Sequence, residues 1–321
     1  MQKILVTGAS GFIGSEVAKY LTKNYYHVIC VTRNKNKQQQ HVNNGIIEWV
    51  EINLFDDTEK LQTILNDTDY IIHIAGLTPK NNNIHIDTYL KYNVEITKNL
   101  ALSAANTPTI KRFIYISTIK VHGENSGKDT TSAISETSGI NPKNDYSLSK
   151  YEAEKILKNI SKENKLDHVI FRPPMVYGKG VGGNFLSLIR YVDRCIPMPF
   201  SLIKNTRSIL YVENFANAIT LSLKHPEAVN QTFVIRDIDV SVPDLINEIA
   251  FAMKRKVTIF PVPVSLLKLA GIIFSKKATI SKLTDSLQIN DKKVRSTIGW
   301  KPPINFNDSI RATVQWYMEE Y

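Results

Sequence analysis

Residues 3–14 read Lys3-Ile4-Leu5-Val6-Thr7-Gly8-Ala9-Ser10-Gly11-Phe12-Ile13-Gly14: an apolar run, a turn carrying three glycines, then the start of an amphipathic stretch. The pattern predicts a buried strand, a tight turn and a helix. Gly8 can take the positive φ of the turn, Gly11 lets backbone N–H groups approach a pyrophosphate, and Gly14 lets the helix pack closely on the strand. The helix N-terminus, with unpaired N–H groups and the positive end of its dipole, then carries the anion. The spacing is GxxGxxG rather than GxGxxG, so alone it also fits an ordinary strand-turn-helix corner.

Working outward, short β-branched or apolar runs at 27–31, 46–52, 70–74, 112–117 and 168–172 read as further strands. Helical spacing covers 58–65, 87–105 and 146–164. Strands that alternate with helices imply a parallel sheet with right-handed crossovers and helices on both faces, the doubly wound α/β plan. From Pro173 to Pro199 prolines and glycines cluster and helices shorten. The expected organisation is a Rossmann-type nucleotide-binding domain over 1–172, with 207–236 returning to it. A smaller, non-contiguous C-terminal substrate domain takes 173–206 and 237–321. The polar loop 35–44, with three consecutive glutamines, reads as a mobile surface loop.

The 321 residues suffice for a full core, and 43% hydrophobic with 22% charged residues are globular values. Two cysteines, Cys30 and Cys195, give no disulfide framework and fit a reducing compartment. The first strand begins at Lys3, leaving no room for a signal peptide, so a cytoplasmic protein is expected. The apolar run 266–274 is interrupted by Lys268 and is too short to span a bilayer, so no membrane insertion is expected. The net charge of +10 admits nucleic acid, an anionic membrane or phosphorylated ligands as partners. Its lysines are scattered, which favours a solvated surface or a basic mouth for a doubly phosphorylated ligand over nucleic acid. No metal is expected.

A second signal is Tyr146-Ser147-Leu148-Ser149-Lys150 at the start of a helix. Tyrosine and lysine four apart share a helical face, and an ammonium beside a phenol favours the phenolate, drawing the tyrosine towards working pH. Such a tyrosine can exchange a proton with a hydroxyl or carbonyl while a cofactor handles a hydride. Tyr151 and Lys155 repeat the spacing, but Tyr151 is rotated about 140° from Tyr146 and points elsewhere. Ser117-Thr118 ends the fifth strand, where a hydroxyl can hold a substrate oxygen beside Tyr146 or cap the turn.

These stretches, with His73-Ile74-Ala75-Gly76, Tyr92-Asn93-Val94, Tyr115-Ile116-Ser117-Thr118, Phe171-Arg172-Pro173-Pro174-Met175-Val176-Tyr177-Gly178 and Ile298-Gly299-Trp300-Lys301-Pro302, carry a resemblance. The chain resembles, end to end, the extended short-chain dehydrogenase/reductases, the NAD-dependent epimerase/dehydratase family. The resemblance implies a catalytic set of Thr118, Tyr146 and Lys150 with Asn93 in support. It implies cofactor contacts at Gly8, Ser10, Gly11, Phe12, Ile13, Gly14, Thr32, Arg33, Asn53, Leu54, Ala75, Gly76, Lys150 and Pro173. It implies a UDP-sugar held by Thr118, Tyr146, Asn184, Phe185 and Arg207, and a homodimer made by pairing long helices.

Three departures bear on the reaction. The sugar 4,6-dehydratases that the chain resembles carry an Asp-Glu pair after the catalytic Ser/Thr, where this chain has Ile119 and Lys120; a lysine cannot fill the pair's role, so dehydration is not expected. Thr32-Arg33 replaces the acidic residue that would hold the adenosine ribose hydroxyls, which favours NADP(H), with NAD(H) as the other possibility. A net reductase needs an exchangeable reduced cofactor, so the expected reaction is 4-keto reduction of a UDP-2-acetamido-2,6-dideoxyhexos-4-ulose. The alternatives are a UDP-glucose or UDP-N-acetylglucosamine 4-epimerase and a non-catalytic, nucleotide-bound scaffold. Met175 stands where many relatives have an asparagine.

Overall fold

In a computed structural model, described over residues 1–33, 47–79, 84–123, 133–275 and 277–321, an α/β fold with two sheets is formed. The 35–44 loop lies outside the described residues.

The large sheet is parallel, with strand order β3-β2-β1-β4-β5-β6-β9. Its members are β1 (Lys3–Thr7), β2 (His27–Thr32), β3 (Ile47–Glu51), β4 (Tyr70–His73), β5 (Arg112–Ile116), β6 (His168–Arg172) and β9 (Gln231–Val234). Successive strand residues face opposite sides, so Ile4 and Val6 join one core while Leu5 joins the other. The first core is closed by α1 (Phe12–Lys23) and α7 (Val212–Lys224), the second by α2 (Thr58–Leu65), α4 (Ile96–Ala105) and α5 (Asp145–Asn164). Cys30 lies in the first core, and burial pushes its thiol up to about 12. The strand order reverses between β1 and β4, which opens a crevice at the carboxyl ends of the strands.

The stretch expected as one helix over 87–105 is continuous but not uniform. A short α3 (Ile86–Tyr89) passes into a π-helical turn over Leu90–Glu95 before α4 begins. Such wide turns recur at functional sites, and this one holds Asn93. Helix α5 starts one residue earlier than its spacing indicates, because Asn144 caps it: Asn144 Oδ1 accepts from Ser147 N at 2.9 Å and Ser147 Oγ accepts from Asn144 N at 3.3 Å. Tyr146 therefore sits in its first turn.

A small mixed sheet has the order β10-β8-β7, with β7 (Met175–Tyr177) parallel and β10 (Ile238–Val240) antiparallel to β8 (Arg207–Tyr211). It packs with α6 (Gly183–Asp193), α8 (Val242–Ala252), α9 (Val264–Ile273), α10 (Lys277–Thr284) and α12 (Phe306–Glu320), while α11 (Lys292–Ile298) puts Val294 and Ile298 into the first core of the large sheet. Here one expectation is corrected. The stretch 207–236 divides between the sheets: β8 is the centre of the small sheet, and only α7 and β9 return to the large one. Alternation alone could not separate them, because β8 leads directly into α7.

Asp237 ties the parts together. Its Oδ2 accepts from Tyr211 N at 2.6 Å and Asn214 Nδ2 at 3.0 Å, and Asn214 in turn holds both backbone groups of Ile304. Burial leads the causes that raise its carboxyl to about 7. The folded chain thus keeps a proton that the unfolded chain releases near pH 4, so stability falls as pH rises from about 4 to about 7. Asp237→Asn keeps an acceptor oxygen for both bonds and removes the ionisation. Its melting temperature should vary less across that window and exceed the wild type's at pH 8; parallel melting curves would refute the assignment.

Candidate active site

The glycine turn has the steric form its spacing requires. Gly8 has φ +71°, and a Cβ there would stand 2.7 Å from Ala75 N. A Cβ on Gly14 would collide with the Gly8 carbonyl and lie 2.8 Å from Ala9 Cα. Gly11 N donates to Gly8 O at 2.9 Å, and Gly11 caps α1 without any side-chain hydrogen bond or acidic residue in the first turn. The N–H groups opening α1 at Phe12 and Ile13 are thereby left to an anion, with exposed Ser10 beside them. These features fit the pyrophosphate of a dinucleotide. Gly14→Ala is expected to lose about 1–3 kcal/mol of stability through overpacking and to weaken NAD binding in a fluorescence titration. Wild-type melting and binding would mean that the turn is not built around this contact.

Three catalytic candidates converge at the strand ends. Thr118, 8% exposed, follows β5 and caps a 3₁₀ turn, its Oγ1 accepting weakly from Lys120 N at 3.3 Å. Its hydroxyl also lies near enough to the half-buried phenol of Tyr146 to favour the phenolate. Lys150 is buried, with Nζ 4.2 Å from the centre of the Tyr115 ring, and burial draws its ammonium down to about 7. Tyr151 and Lys155 instead form their own cation–π pair, 5.4 Å apart.

The expected depression of the Tyr146 phenol is not found. Burial pushes it up to about 12, outweighing the nearby Thr118 hydroxyl that favours the phenolate, and neighbouring Tyr89 adds to the rise. The shared helical face does not make Lys150 one of the causes of this shift.

Asn93 acts as a clasp. Its Oδ1 accepts from Leu77 N at 2.6 Å, while Nδ2 donates to Leu77 O at 3.1 Å and to Ser149 Oγ at 2.9 Å. Ser149 Oγ donates to Tyr146 O at 2.9 Å, so the loop after β4, including Ala75 and Gly76, is fastened to the catalytic helix. Buried His73 bridges Thr7 Oγ1 at 2.6 Å and Thr97 Oγ1 at 3.0 Å, and burial pulls its imidazole down to about 3.

Other expected contacts are distributed as follows. Thr32 is buried at the end of β2, and exposed Arg33 lies with its guanidinium 6.0 Å from the Tyr92 ring centre. Asn53, one of the cofactor contacts that the resemblance implies, spends its amide locally: Oδ1 accepts from Phe55 N at 3.2 Å and Nδ2 donates to Asp56 at 2.6 Å. It lines a cleft of about 470 Å³ with Phe55, Lys91 and Tyr92, and half-buried Leu54 packs on the second core. Pro173 is buried and its carbonyl accepts from Ile119 N at 2.9 Å. Asn184 is exposed in the first turn of α6. Phe185 stacks its ring on Tyr177 with centroids 5.0 Å apart inside the small-sheet core. Arg207 donates to the Asp285 carbonyl at 2.9 Å.

Sequence reasoning missed the buried network under the site. Arg172 at the end of β6 forms a two-pronged ion pair with Glu154, Nε to Oε1 at 2.9 Å and Nη2 to Oε2 at 2.5 Å. Ser117 Oγ donates to the same carboxylate at 2.5 Å, and Arg172 Nη1 reaches His122 Nε2 at 2.9 Å. Glu154 is fully buried and Arg172 nearly so. The available signal was spacing: Glu154 continues the Tyr146, Lys150 series by another four residues.

Residues 4–235 match the NAD dependent epimerase/dehydratase family. A UDP-glucose 4-epimerase of Vibrio cholerae is 35% identical over 99% of this chain and 96% of its own length. A dTDP-D-glucose 4,6-dehydratase of Dictyostelium discoideum is 29% identical, over 78% of this chain and 62% of its own. Among solved structures, a UDP-glucuronic acid 4-epimerase from Bacillus cereus in complex with NAD superposes with a TM-score of 0.80 at 22% identity, covering all of both chains. With the glycine turn, the doubly wound sheet and this end-to-end likeness in hand, the chain belongs to the NAD-dependent epimerase/dehydratase family.

Proposed function

We propose that the protein is a UDP-hexose 4-epimerase, with UDP-glucose and UDP-galactose as its substrate pair and NAD as its cofactor. The observation that carries the choice is the 35% identity to the Vibrio cholerae UDP-glucose 4-epimerase along essentially the whole of both chains. This replaces the reductase and NADP(H) expected from Thr32 and Arg33. Arg33, which with Thr32 carried the charge argument, has an alternative occupation over Tyr92.

In this reading the α1 N-terminus and Gly8, Gly11 and Gly14 hold the pyrophosphate, and NAD⁺ supplies the hydride acceptor. Tyr146 takes the proton from the sugar's O4 hydroxyl and later returns it, Thr118 orients that oxygen, and buried Lys150 holds the nicotinamide ribose. Asn184 and Arg207 face the UDP part. Dehydration is disfavoured by the residues after Thr118: Ile119 is in a small core and Lys120 is basic. Glu154 is held by Arg172 and Ser117 and is no substitute acid. Leu102 and Leu148, each 37% exposed on neighbouring helices α4 and α5, support a homodimer joined there.

The purified chain, incubated with UDP-glucose and no added reductant, should form UDP-galactose, followed by proton NMR of the anomeric signals. Stoichiometric NADPH oxidation by a 4-keto-6-deoxy UDP-sugar, with no interconversion of UDP-glucose, would restore the reductase.

A further inference from the structure

Helix α9 is apolar on two opposite sides, and the fold uses one. Leu267 and Gly271, one turn apart, are buried, with Leu267 in the small-sheet core. On the other side Leu266, Leu269, Ile272 and Ile273 are 54%, 53%, 59% and 67% exposed, and Phe274 at the C-cap is 73% exposed. At about 100° per residue, Leu266, Leu269, Ile272 and Ile273 fall within one arc of about 120°. A helix hydrophobic on all sides is ordinarily buried on all sides. A contiguous apolar patch left in water marks an interaction surface.

The charge of the sequence that carries it is one-sided. From residue 249 to residue 284 there is no Asp or Glu, while Lys254, Arg255, Lys256, Lys268, Lys276, Lys277 and Lys282 are all present. Among the described residues, Arg255 pairs with Asp193 and Lys268 with Asp285, both acids from outside that stretch. Lys254, Lys256 and Lys282 are exposed. An apolar helix face set in a basic stretch is the chemistry that meets anionic headgroups over an acyl boundary. A second copy is the poorer occupant, because two such faces would bring like charges together.

We propose that the outer face of α9 docks on the surface of an anionic phospholipid bilayer. Its aliphatic side chains and Phe274 enter the headgroup boundary, and the surrounding lysines meet the lipid charge. The protein lies on the membrane without crossing it: no described helix is long and apolar enough to span. The proposal is independent of which sugar is turned over.

The test is flotation of the full chain with vesicles of phosphatidylcholine and phosphatidylglycerol in about equal parts, at low salt. The protein should float with these vesicles, about 10-fold less with phosphatidylcholine alone, and less again at high salt. The double variant Ile273→Ser with Phe274→Ser should lose about 10-fold in binding through the lost apolar area. Both side chains are mostly exposed, so its melting temperature and activity in solution should match the wild type. No flotation with the mixed vesicles, or equal flotation of the variant, would overturn the proposal. So would concentration-dependent self-association abolished by the variant, which would assign the face to a second copy.

Discussion

Tyr146→Phe is expected to lower kcat by about 10²–10⁴-fold, the range that positioned acid–base groups supply. Fold and cofactor site should survive. The ring keeps its place near Tyr89, 6.2 Å between centroids, and the lost group is one hydroxyl near Thr118. Stability should change by about 1 kcal/mol, and NAD affinity should be nearly that of the wild type, since no part of the glycine turn is touched. The raised phenol predicts a further sign. A group drawn up to about 12 is protonated at neutral pH, so the step in which Tyr146 acts as a base should quicken as pH rises above neutrality. An active phenylalanine variant with an unaltered pH profile would remove Tyr146 from the chemistry.

Glu154→Ala should cost about 3–5 kcal/mol in denaturant unfolding, because it strands the Arg172 guanidinium without its partner in a buried place. The size of the loss reflects the uncompensated charge rather than the worth of the pair. Glu154→Leu combined with Arg172→Met should therefore recover most of the stability. Glu154 also favours the charged form of Lys150, so any folded Glu154 variant should have its Lys150 ammonium lowered further. A single-variant loss under about 1 kcal/mol, as for a surface pair, would show that water reaches this site.

The parts of the fold legible in the sequence were those set by local sterics and period. Gly8 and Gly14 announce themselves because no side chain fits there, and the strand-helix alternation determines a parallel sheet. Thr118 and Tyr146 could be paired because one ends a strand and the other begins a helix. The Arg172 to His122 contact could not, since it joins residues 50 apart through the packing of a 3₁₀ turn on β6. Desolvation was equally invisible: the Tyr146 to Lys150 spacing suggests a lowered phenol, and tertiary burial reverses the sign. Motif position also says nothing about rotamer, so the stacking of Phe185 on Tyr177 was not legible.

The bridge through His73 has a direction. Thr97 Oγ1 gives its hydrogen to the Asn93 carbonyl at 2.6 Å, so from His73 it can only receive, which puts the imidazole proton on Nε2. Nδ1 must then take the Thr7 hydroxyl hydrogen, and the Thr7 oxygen is left to accept from Ala75 N at 3.2 Å. Every dipole from the last residue of β1 to the wide helical turn is thereby oriented, with no member that ionises near neutral pH. Two threonines and a neutral histidine keep one tautomer and lock the end of the first strand to the asparagine clasp. Thr97→Val would release that polarity and leave the histidine free to turn its proton the other way.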